Sequence, residues 1–63
     1  MSLDIYEQIK CVERELAMRR RLYPRWVMAE KIGAHEADHE LRCMEAVLKT
    51  LEGLAAPPLF EDV

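Results

Sequence analysis

His35-Glu36-Ala37-Asp38-His39 is the sharpest chemical signal in this chain of 63 residues. Two histidines four apart share one face of a helix and could grip a metal, and the Glu beside the first matches the general base of zinc proteases. The surroundings argue against an enzyme. That face points away from the apolar positions Leu41 and Leu48, so the histidines are expected in water. Asp38, Arg42 and Glu45 offer at best a carboxylate as third ligand, and no strand is available to align a peptide. The bland reading is two solvated histidines in an acidic first turn that suits the helix dipole. No catalytic residue, metal or cofactor is expected, and His35 and His39 remain as a remote metal-binding alternative.

The second cluster is basic. Arg19, Arg20 and Arg21 with Arg25, interleaved with Tyr23 and Trp26, combine phosphate-binding guanidiniums with rings that can stack on bases. Three consecutive arginines fan around a helix, however, and the whole chain is acidic at −3, whereas nucleic-acid modules are usually basic. The competing expectation is that Arg19 and Arg20 flank an apolar seam and pair with glutamates of another helix. Accessory nucleic-acid binding is therefore the second choice. Pro57-Pro58-Leu59-Phe60 offers a third feature: Leu59 and Phe60 could dock in a groove of another protein, although a frayed terminus explains them as well. Cys11 and Cys43 precede core positions and are expected as buried or half-buried reduced thiols, with a single bridge between them as the alternative, unpaired with any His or Lys and without a catalytic role.

Periodicity supplies the elements that must carry these groups. Ser2 or Asp4 can cap a first helix, with Glu7 at capping-box spacing from Asp4. Ile5, Ile9, Val12 and Leu16 form one face, continued by Arg19, Tyr23 and Trp26. Glu15 precedes Arg19 by one turn, the favourable orientation for an ion pair. Cys11, Met18 and Leu22 form a second, thinner stripe. Pro24 disfavours helix at Tyr23 and is suited to the first position of a new segment. The expected elements are a helix over 3–22, a short middle helix over 24–31 and a helix over 34–52. Gly33 caps the third, with Ile32 and Ala37 spaced as a hydrophobic staple. Ala37, Leu41, Met44, Leu48 and Leu51 repeat the helical spacing, with Asp38–Arg42 and Glu45–Lys49 as flanking pairs. Gly53 is expected as a left-handed cap, followed by a flexible tail over 54–63.

The fold class is thus all-α: an antiparallel helical hairpin with a Pro-kinked, aromatic-filled bend, with Ile5 near Leu51 and Leu16 near Leu41. Residues 1–32 carry seven Lys/Arg against five Asp/Glu, and residues 33–63 carry two against seven. A basic arm therefore lies beside an acidic one. A chain this short buries a modest share of its surface, and two helices have one mutual face. Met18, Leu22, Trp26, Val47, Leu48 and Leu51 would keep apolar surface wet in a monomer, which marks an interface. The expected working unit is a homodimer forming a four-helix bundle, or a dimer of dimers. No apolar run approaches the ~18 residues that would cross a membrane, and no secretory leader is evident. A cytoplasmic, non-catalytic interaction module is the leading expectation.

The middle of the chain resembles small helical proteins encoded in phages and prophages of proteobacteria. The matching positions are Arg19-Arg20-Arg21, Tyr23-Pro24, Val27, Ile32, Ala37 and Glu40. Two positions depart from that pattern: Glu30 stands where a Gly is expected, and Gly33 where a Ser or Thr cap is expected. The resemblance implies a phage or prophage origin and brings no activity.

Overall fold

The computed structural model describes residues 3–55, and these form two helices packed against each other with no strand among them. Helix α1 spans Ile5–Met28 and helix α2 spans Ala34–Ala55. Helix α1 starts at Asp4, whose backbone is extended (φ −73°, ψ 173°). Its carboxylate accepts the Glu7 amide at 2.9 Å, satisfying one of the donors that a helix start leaves unpaired. The apolar spacing then decides the packing. Ile5, Ile9, Val12, Leu16, Tyr23 and Trp26 are all buried or half-buried, as are Ala37, Leu41, Met44, Leu48, Leu51 and Ala55 on α2. Leu16 is the most enclosed at 2% exposure, with Tyr23 and Ala37 completing the fully buried set among the described residues.

The bend differs from the sequence expectation. There is no separate middle helix over 24–31: α1 runs through Pro24 and ends at Met28. Pro24 cannot donate to the Arg20 carbonyl, and a proline inside a helix costs on the order of 3 kcal/mol. Two conditions offset this. Arg20 and Pro24 are both exposed, and a helical carbonyl on a solvent-facing turn can bond to water in place of the missing amide. Tyr23 and Trp26, on either side of the proline in sequence, are buried and half-buried with ring centroids 5.5 Å apart, so both flanks of the proline contribute to the packed face of α1.

Helix α1 closes by a Schellman motif. The Lys31 amide donates to the Trp26 carbonyl at 2.8 Å and the Glu30 amide to Val27 at 3.0 Å. This geometry needs a left-handed residue, and Glu30 supplies it at φ 58°. Glycine takes that conformation without the clash that an L side chain meets there. Glu30 is the position where the resemblance leads one to expect glycine. Helix α2 opens after Gly33, whose carbonyl accepts the Ala37 amide at 2.9 Å.

The far end of α2 is also corrected. Gly53 is not a left-handed cap: no glycine has positive φ, and the helix continues through Leu54 to Ala55. Leu54 and Ala55 are good helix formers, and the stronger stop in the sequence is Pro57, which disfavours helix at Ala56. Leu54 and Ala55 therefore belong to the hairpin. The rest of the expected tail, with Leu59 and Phe60, lies outside the described residues.

Candidate functional site

Arg19 and Arg20, which the sequence offers to phosphate, are held by carboxylates. Arg19 Nε donates to Glu15 at 2.9 Å, and its Nη1 lies 3.9 Å from Glu40 on α2. The hydrogen bond to Glu15 pushes the Arg19 guanidinium above its ordinary value, against a partial desolvation that pulls it down. A raised basic group stabilises the fold at every pH below its unfolded value and loses that contribution only as pH climbs past it. Arg19 therefore gives no pH dependence in the neutral range. Its guanidinium carbon also lies 6.0 Å from the centre of the Tyr23 ring. Arg20 reaches across to Glu45 at 2.6 Å. Glu45 thus pairs between helices, and its expected pairing with Lys49 does not form among the described residues. The expected Asp38–Arg42 pair does form, at 2.9 Å.

Arg21 and Arg25 are exposed and take part in no ion pair among the described residues. Of the two rings interleaved with them, Tyr23 is buried and Trp26 is half-buried against it. The four arginines therefore divide: Arg19 and Arg20 reach carboxylates of α2, and Arg21 and Arg25 are exposed without an ion pair among the described residues.

The expected interface residues divide as well. Leu48 and Leu51 lie in the seam between the helices and are half-buried, as are Leu22 and Trp26. Met18 and Val47 are the more exposed members, Val47 at 48%. Val47 and Leu51 line an open groove of about 520 Å³ with Leu3, Cys11 and Val12, rimmed by Glu7, Gln8 and Arg14. Leu16 and Leu48 line a second, shallower cleft beside the Arg20–Glu45 pair. Sequence reasoning left Leu3 and Leu54, exposed at 70% and 73%, out of the interface set, Leu3 standing at the first position of the expected helix and Leu54 in the expected tail. Leu54 was legible in principle: Cys43, Val47, Thr50 and Leu54 repeat the four-three-four spacing of a second stripe on α2. Tyr6 and Met28 are also exposed, and single exposed apolar residues are ordinary.

His35 and His39 are both exposed, and no three His, Cys, Asp or Glu side chains converge on a metal-sized point among the described residues. The thiols correct the sequence reading. Cys11 and Cys43 are exposed free cysteines, neither buried nor half-buried. Cys43 is also not isolated, since its Sγ lies 3.5 Å from His39 Nε2. That contact was available in the sequence as a His-to-Cys spacing of one helical turn, masked by the competing His-to-His spacing.

No helix among the described residues is long and apolar enough to cross a membrane. Compared with protein-family models, curated proteins and solved structures, the chain matches none.

Proposed function

We propose that this chain is a non-catalytic assembly module whose working unit is a homodimer, two hairpins forming a four-helix bundle. The observation that carries the reading is the thinness of the single-chain core. A chain that is 51% hydrophobic fully buries only Leu16, Tyr23 and Ala37 among its described residues, and Leu3, Met18, Val47 and Leu54 stay exposed. A second copy laid over the groove between Cys11, Val12, Val47 and Leu51 would cover the stripe that one partner helix leaves wet. Light scattering should give twice the 7.4 kDa chain mass, or four times for a dimer of dimers. Leu22→Asp and Val47→Asp should each dissociate the particle and lower its melting temperature. A monomer with an unfolding free energy above about 3 kcal/mol at all concentrations overturns the proposal.

The resemblance of the middle of the chain points to a phage or prophage gene, and the free thiols suit the cytoplasm. A further protein partner would be read by affinity capture with and without residues 54–63. Arg21 and Arg25, the two arginines without a carboxylate partner among the described residues, support a second reading as an accessory nucleic-acid binder. A gel shift across several salt concentrations, with Arg21→Glu and Arg25→Glu, decides it: salt-insensitive or absent binding removes that reading.

A further inference from the structure

The geometry points to a zinc-class metal site at His39 and Cys43, completed by the same two residues of a second copy of this chain. Four residues apart on α2, the side chains converge until Cys43 Sγ and His39 Nε2 are 3.5 Å apart. In a tetrahedral zinc centre, bonds of about 2.3 Å to sulfur and about 2.05 Å to nitrogen place the two ligand atoms roughly 3.5 Å apart. The pair is thus spaced as two neighbouring corners of a zinc tetrahedron, the same separation serving a thiol–imidazole contact in the free chain. Both residues are exposed, so an ion and a second chain can reach them. A thiolate with an imidazole selects a soft or borderline cation over magnesium or calcium.

One chain supplies two ligands and no third among the described residues. A closed structural site needs four, and a two-fold axis passing between two His39–Cys43 pairs makes a Cys2His2 set. The position agrees with the apolar surface. Cys43 heads the exposed stripe that continues through Val47, Thr50 and Leu54, and Val47 lines the open groove. A copy related by a two-fold axis running along α2, so that the two α2 helices lie parallel, faces stripe to stripe and brings its own Cys43 to the same border. On binding, each Cys43 loses its thiol proton to solvent and each His39 binds through neutral Nε2; no electron is transferred. The shared site rests on the homodimer proposed above.

The test is a cobalt(II) chloride titration of the full reduced chain, followed by displacement with zinc chloride, with light scattering in metal and in chelator. The expected result is a thiolate-to-cobalt charge-transfer band with the intense visible absorption of a tetrahedral centre. It should saturate at one cobalt per two chains and be bleached by zinc. His39→Ala and Cys43→Ser should each weaken cobalt binding at least tenfold while circular dichroism keeps the helical spectrum. His35→Ala and Cys11→Ser should bind like the parent. Absence of the thiolate band, its survival in Cys43→Ser, or saturation at one cobalt per monomeric chain overturns the site. A dimer in chelator that shows no thiolate band with cobalt removes the metal and leaves the apolar assembly standing. A particle that stays monomeric in both conditions removes both.

Discussion

The two ends of the hairpin are held differently. At the bend, Tyr23 and Ala37 are buried, Trp26 stacks on Tyr23, Arg19 reaches Glu40, and a hydrogen-bonded cap closes α1. At the open end, Ile5, Ile9, Val12, Leu51 and Ala55 carry the same apolar spacing, yet none is fully buried, and a groove lies between the helices instead. The pattern of apolar residues is as regular in one half as in the other. What differs is side-chain bulk and cross-linking: aromatics and ion pairs fill the corner, while aliphatic residues alone span the open end. Spacing sets which face is inward, but filling the space behind that face takes volume, which the proposed second copy would supply.

Truncating the corner should have the largest effect. Tyr23→Ala removes a buried ring that is the partner of Trp26 and of Arg19, and should cost about 3–5 kcal/mol in a urea titration. Ile9→Ala at the open end should cost roughly 1 kcal/mol in the isolated chain, the ordinary value for a partly buried site. Equal losses would erase the contrast between the two ends. A loss at Ile9 that grows with protein concentration would show that the open end is completed by another copy.

Glu30→Gly should sharpen the contrast from the other side. The left-handed penalty of about 1–2 kcal/mol for an L residue is relieved, less the extra chain entropy of glycine, roughly 0.5–1 kcal/mol. A net gain near 0.5–1 kcal/mol should appear as a higher urea midpoint with an unchanged slope. A lower midpoint would mean that the Glu30 side chain supports the turn in a way the backbone does not reveal.

The smallest effect belongs to the ion pair between the helices. A double-mutant cycle on Arg20 and Glu45 should give a coupling of about 0.2–1 kcal/mol, because both side chains are about half exposed. The coupling should shrink as salt is added. A coupling well above that range would move the main support of the middle of the hairpin from packing to charge.

Many of these features are legible in the order of residues alone. The apolar faces of both helices, the Asp4 cap, the Gly33 start and the Glu15–Arg19 and Asp38–Arg42 pairs are local, and their spacing places them. Expectation and fold part where tertiary packing overrides a local rule. Pro24 disfavours an isolated helix, but here α1 runs through it between the buried Tyr23 and the half-buried Trp26. Gly53 favours a cap, yet nothing compels it to take one when good helix formers follow. The pairing of Glu45 with Arg20 in place of Lys49 is likewise decided by the facing helix. At the candidate metal site the sequence holds two equal helical spacings, His35 to His39 and His39 to Cys43. Only the rotamers distinguish them, since they bring the second pair within 3.5 Å.

The short reversal over 29–33 has a kinetic consequence. Closing it brings together residues on either side at modest cost, because closure entropy grows only slowly with the length of the loop; even Arg19 and Glu40, 21 positions apart, meet across it. Helical proteins with such local contacts fold in microseconds to milliseconds. Encounter between two such hairpins would be the slow event at low concentration, and the observed refolding rate would then climb with the amount of protein in the tube.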